Sequence, residues 1–206
     1  MQKQFQIAAL CIIPLISCCA ADSFSERNQT PPPRSDRKLI WAEEFDKPGK
    51  PDPKVWTYET GFVRNREAQY YTDRPENIRV ENGCLVIEGR KERYRNPNAD
   101  AKNPAQPEYA EYTSAAAITQ GLRTFHYGRI EVRAKIPVAT GSWPAIWLLG
   151  ANRPEVRWPK CGEIDIMEAV GKAPKNIYAT VHYAGENGKR KQKGGKISDV
   201  TPDDDF

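Results

Sequence analysis

Cysteine is nearly absent from the body of this sequence. Cys11, Cys18 and Cys19 fall near the N-terminus, which leaves Cys84 and Cys161. The body can therefore hold at most one disulfide, and the two could equally stay as buried thiols, the reading preferred here. No metal-ligand spacing surrounds them. Long apolar runs are missing too. The run from Ile7 to Ile16 is broken by Pro14 and is too short to span a bilayer comfortably. No long segment has a helical period, which argues against a helical fold, and no internal repeat is visible. Charge of one sign is also lacking: 31 Lys and Arg against 27 Asp and Glu give +4. Nothing in that balance calls for a nucleic-acid partner, and none is expected.

What is present first is a leader. Lys3 precedes the short apolar run, as in a signal peptide. Leu15-Ile16-Ser17-Cys18 resembles a bacterial lipoprotein cleavage box, which implies lipidation of Cys18 and membrane attachment through it. The alternative is a plain signal peptide cut near Ala20 or Ala21. Residues 1–21 are thus read as the leader and 22–38, with Pro31-Pro32-Pro33, as a disordered tether. The expected location is outside the cytoplasm, as a cell-surface or outer-membrane lipoprotein or a secreted protein.

From Leu39 onward the chain reads as short strands between breakers. Cys84 to Glu88 follows the turn signal Asn82-Gly83. Tyr127 to Pro137 alternates, with Ile130, Val132, Ala134 and Ile136 on one face and Arg129, Glu131, Arg133 and Lys135 on the other. "PAIWLLG", "EIDIMEAV" and "IYATVHYAG" are further strand candidates. Arg90 to Glu111 and Lys189 to Lys196 are expected as polar loops. The class is all-β, a sandwich or barrel. Seventeen Pro and fourteen Gly fit many turns.

The segment "CGEIDIMEAVG" carries Glu163, Asp165 and Glu168. Carboxylates crowded on one strand repel each other, and a fold gains little from them. They are useful where one must ionise while a neighbour stays protonated. Retaining glycoside hydrolysis needs such a pair about 5–5.5 Å apart. Alternation puts Glu163 and Asp165 on one face and Glu168 on the other. One extra residue at Ile166 or Met167, held in a β-bulge, would bring Glu168 back. The competing reading is a surface strand with scattered charge.

"GEIDIMEAVG" resembles the active-site strand of glycoside hydrolase family 16 in its laminarinase-like, endo-β-1,3-glucanase form. "LIWAEEFD", "WTYETGFVRNREAQYYT", "ENIRVENGCLVIEGRKE", "YTSAAAITQG", "YGRIEVRAKIP" and "GSWPAIWLLG" resemble successive blocks of that family, from about Leu39 to the C-terminus. The resemblance implies a concanavalin-like β-jelly-roll sandwich of two curved antiparallel sheets, with a sugar cleft on the concave face. It implies a retaining hydrolase of β-1,3-glucosidic bonds in laminarin-like or mixed-linkage β-glucans, acting as a monomer on a polysaccharide. The alternatives are a family hydrolase acting on a sulfated marine galactan and a non-catalytic glucan-binding relative.

Residue by residue, Glu163 matches the nucleophile, Glu168 the general acid/base and Asp165 the acid between them, expected to be ionised. Trp143 and Trp147 match cleft aromatics, whose competing role is core packing. Asn65 and Glu67 match polar cleft positions, flanked here by Arg64 and Arg66. His182 matches a histidine near the cleft, and Arg133 could reach it. His126 is read as structural. No cofactor is needed for the chemistry. A structural Ca²⁺ is implied on the convex side, with Glu44 and the backbone of Gly83 at ligand positions. Family domains continue past the position of Phe206. Residues 39–206 are therefore expected to be a partial domain lacking C-terminal strands, of poor stability and little activity on its own.

Overall fold

The computed structural model describes residues 37–202 together with the backbone of Phe5–Ala9. Cys18 and nearly all of the tether lie outside the described residues. Every regular element among them is a strand. In chain order these are β1 (Phe5–Ala9), β2 (Thr57–Glu59), β3 (Gln69–Tyr71), β4 (Ile78–Glu81), β5 (Cys84–Ile87) and β6 (Arg90–Arg95). They continue with β7 (Tyr109–Ser114), β8 (Ala116–Ile118), β9 (Ala145–Gly150), β10 (Glu163–Ala169), β11 (Ile177–Ala184) and β12 (Arg190–Ile197).

The largest sheet has the order β1-β9-β10-β11-β12 and is antiparallel throughout. Smaller ladders join β2 to β8, β4 to β5, and β3-β7-β6. Within the last, β3 and β7 run parallel, a departure from a wholly antiparallel sandwich. β1 lies within the segment that reads as a leader, and here it lines the edge of β9, with Phe5 opposite Gly150.

The main core lies on one side of the large sheet. Ile146 and Leu148 of β9 and Met167 and Ala169 of β10 pack with Trp56, Ile78, Val80, Leu85, Ala115 and Ala117. Trp56 and Leu85 are essentially sealed from solvent, and burying side chains of this kind stabilises by about 1.5–3 kcal/mol each. Cys84 and Cys161 are both buried and unbridged, and burial pushes both thiols up.

Three sequence expectations need correction. Arg90 to Glu111 is not a single loop: β6 and the start of β7 pair antiparallel, and only the middle is irregular. Its side chains alternate between exposed and half-buried on β6, so an almost fully charged strand hid its period. Lys189 to Lys196 is likewise strand β12, fully exposed and laddered against β11 from Ile177↔Ile197 to Ala184↔Arg190. Backbone pairing, not an apolar face, makes it a strand. Conversely, Tyr127 to Pro137 joins none of the described ladders. Its alternation is still real, because Ile130, Val132, Ala134 and Ile136 all pack toward the core.

Candidate active site

The centre of the large sheet answers the parity problem of β10. Opposite β9, Asp165 pairs with Trp147, Met167 with Ile146 and Glu168 with Ala145. Opposite β11, Asp165 pairs with Thr180 and Glu168 with Tyr178. Between Asp165 and Glu168, β10 has one residue more than either neighbour. Ile166 and Met167 both pack toward the core. The extra residue thus returns Glu168 to the face of Glu163 and Asp165, as a β-bulge does. Without it, a carboxylate would enter the layer of Ile146 and Leu148, where an unpaired charge is very costly.

The shared face carries His182, Thr180 and Tyr178 from β11, and Ala145, Trp147 and Leu149 from β9. His182 Nε2 lies 3.1 Å from Asp165 Oδ2 and 3.6 Å from Glu163 Oε1. The 3.1 Å approach is not aligned as a hydrogen bond, and Oδ2 is buried without a hydrogen-bond partner. The Trp143 Nε1–H donates to Glu168 Oε1 at 3.0 Å. The indole of Trp158 donates to Glu163.

Burial, reinforced by Glu168 and Glu163, pushes Asp165 up to about 7. This corrects the expectation of an ionised Asp165: below that pH it carries a proton. Burial, then the charge of Glu168, also raises Glu163, while the Trp158 hydrogen bond, Arg64 and Arg190 oppose the rise. Burial, and then Arg190, holds His182 below the usual imidazole range despite the pull of Glu168. A neutral imidazole beside a protonated Asp165 leaves the cluster with less net charge than three carboxylates suggest.

Two glycines shape the loops that bring indoles here. A Cβ on Gly150 would stand 2.1 Å from the Cys161 carbonyl oxygen, which ties down the loop bearing Trp158. A Cβ on Gly171 would stand 1.9 Å from the Ala139 carbonyl oxygen, beside the turn that leads into Trp143. Trp143 is 67% exposed, as a stacking platform must be. Trp147 is half-buried against Leu149 and Cys161, so packing and cleft-lining both describe it.

Other predicted residues fall out unevenly. Glu67 accepts from the Tyr71 hydroxyl at 3.0 Å and from Gln69 Nε2 at 2.9 Å. Asn65 is exposed in a left-handed turn, with φ of 54°. The link from this network to the acids is Arg64. It lies 5.7 Å from the Tyr71 ring, 5.2 Å from the Trp147 ring, and pairs with Glu59. Arg133 is exposed and its charge acts on Cys84. His126 stacks on Tyr127 at 4.2 Å, consistent with a structural residue.

The residues implied as calcium ligands are Glu44 and the backbone of Gly83. Glu44 and Gly83 are exposed, and Glu44 joins no cluster of three side-chain ligands among the described residues. The site residues the sequence did not single out are Arg64, Trp158 and Arg190. Arg64 had a signal beside Asn65, and Trp158 lies three residues before Cys161. Arg190 sat in a basic stretch that read as plain solvated charge.

The site is an all-β sheet face that aligns three acids beside exposed indoles. Residues 65–206 match the model of Glycosyl hydrolases family 16, and the chain belongs to that family. It is 39% identical to the Beta-glucanase of Rhodothermus marinus, over 100% of this chain and 68% of that protein. The X-ray structure of the laminarinase from Rhodothermus marinus superposes with a TM-score of 0.69 at 41% identity, covering 82% of this chain and 64% of that one. A variant of SCLam, described as a non-specific endo-beta-1,3(4)-glucanase from family GH16, gives a TM-score of 0.69 at 43% identity, covering 82% of this chain and 65% of that one. The chain thus spans about two thirds of the length of these relatives.

Proposed function

We propose that the protein is a retaining endo-glycosidase that hydrolyses β-1,3-glucosidic bonds in laminarin-like or mixed-linkage β-glucans. The observation that carries this reading is the bulge in β10, which sets Glu163, Asp165 and Glu168 on one face.

A glucan chain lies across that face with a sugar ring against exposed Trp143. The Glu163 carboxylate attacks the anomeric carbon while the bond to the leaving oxygen breaks. Glu168 gives that oxygen its proton, so the leaving sugar departs as an alcohol. Glu168, now ionised, takes a proton from water, whose oxygen displaces Glu163 and restores both groups. Asp165 between them holds a proton below about pH 7, which lets Glu163 ionise without a second charge at its side. The Trp158 indole and the charges of Arg64 and Arg190 favour the ionised nucleophile.

Asn65, Glu67, Trp147 and His182 are proposed to contact sugar or shape the cleft. No cofactor takes part in these steps. A calcium ion held partly by Glu44 and the Gly83 carbonyl would be structural only. The setting we propose is export, with Cys18 lipidated, and action as a monomer.

The test is reducing-sugar release from laminarin by the complete chain and its Glu163→Gln variant. Release that falls to background in the variant supports the reading. Equal release from both overturns it.

A further inference from the structure

Glu163, Asp165 and His182 bring together atoms that suit something other than sugar. Among the described residues they form the group of acid and imidazole ligands whose donor atoms all lie within 4.8 Å of one another. His182 Nε2 stands 3.1 Å from Asp165 Oδ2 and 3.6 Å from Glu163 Oε1. A tetrahedral ion with bonds of about 2.0–2.1 Å spaces its ligands roughly 3.3–3.4 Å apart. Both measured edges lie close to that spacing, one slightly short and one slightly long.

Asp165 supplies a separate observation. Its residue is 6% exposed, and its Oδ2 is buried with no hydrogen-bond partner. A buried orphan oxygen is costly unless a proton or a cation satisfies it. That oxygen lies 3.1 Å from His182 Nε2. Glu168 stands apart from this set, because its Oε1 accepts from the Trp143 indole.

We propose that Glu163, Asp165 and His182 form a reversible site for a divalent transition-metal ion of the Zn²⁺ class, whose binding shuts off the cleft. One imidazole and two carboxylates suit Zn²⁺ better than Mg²⁺ or Ca²⁺, which favour oxygen alone. His182 Nδ1 is buried without an acceptor, so the ring lacks the outer hydrogen bond that strengthens resident metal sites. The ion is therefore removable and inhibitory. It ties up the Glu163 carboxylate that would attack the anomeric carbon, and it competes with bound glucan. The inhibition rests on the proposed function, whereas the binding does not.

The experiment is calorimetric titration of the complete chain with ZnCl₂, run beside laminarin hydrolysis. Expected are one ion per chain, loss of hydrolysis along the binding curve, and recovery with EDTA. His182→Ala and the larger His182→Gln, each checked for folding by circular dichroism, should bind Zn²⁺ about 10- to 100-fold more weakly. His126→Gln and Glu168→Gln should bind as the wild type does, the latter without hydrolysing glucan. Absence of binding, or His182 variants that bind normally, overturns the proposal and leaves the glycosidase reading intact. Zn²⁺ binding by the wild type as expected, together with full hydrolysis by Glu163→Gln, overturns the glycosidase reading and leaves the metal site standing.

Discussion

Replacing Asp165 with asparagine tests the electrostatics of the cluster through stability alone. Asp165 rises from 3.8 to about 7 in the folded state, chiefly because it is buried. Below pH 4 the folded and unfolded chains both hold its proton, and the group contributes nothing to pH dependence. Between pH 4 and 7 the unfolded chain loses that proton while the folded chain keeps it. The unfolded state then binds fewer protons, so stability falls as pH rises. Above pH 7 the full cost is present. A rise of that size is worth up to about 4 kcal/mol. An asparagine side chain has nearly the shape of a protonated aspartic acid and never ionises. The Asp165→Asn variant should therefore match the wild type near pH 4 and exceed it by up to about 4 kcal/mol at pH 8. Urea unfolding at pH 4, 6 and 8 measures this as the variant-minus-wild-type difference. Groups such as Asp73 and Glu92, whose hydrogen bonds to Lys50 and Thr113 lower them, act equally in both proteins and cancel. A difference that is flat with pH, or that favours the wild type at pH 8, refutes the reasoning.

Other outcomes follow from the same geometry. Glu168→Gln should cut laminarin hydrolysis about 100- to 10,000-fold, the usual range for a general acid/base, with thermal stability little changed. Trp143→Phe keeps a ring for stacking but loses the hydrogen bond to Glu168, so kcat should fall more than KM rises. Trp143→Ala should damage both, and steady-state kinetics separate the two variants. Deleting Ile166 removes the bulge and turns Glu168 toward Ile146 and Leu148; the expected result is a chain that unfolds or loses all hydrolysis, whereas Ile166→Val should cost only about 0.5–1.5 kcal/mol in chemical denaturation. Leu148→Ala, by contrast, should cost about 2–5 kcal/mol from its buried position.

What could be read from sequence follows the physics of each segment. β9, β10 and β11 were visible because apolar residues alternate or cluster there, and the bulge was visible because Glu168 broke the alternation. β6 and β12 were hidden, since their side chains are charged and their strand character lies in backbone pairing. Tyr127 to Pro137 showed its two faces correctly, yet membership of a ladder depends on partners that a local pattern does not name. At the site, the three acids and the indole of Trp143 were legible from spacing and family likeness. The protonation of Asp165 was not, because it depends on burial and on two carboxylates brought close only by the fold. Arg64, Trp158 and Arg190 reach the acids across loops and strands, so position along the chain gave little sign of them. Arg133 shares the polar face of its segment, as read, and its charge acts on Cys84.

The retaining reaction proposed for Glu163 and Glu168 rests on the one extra residue in β10. Proton NMR of laminarin during its first minutes with the complete chain tests it most directly. The β-anomer of the new reducing end should appear first and then mutarotate. First release of the α-anomer would contradict it.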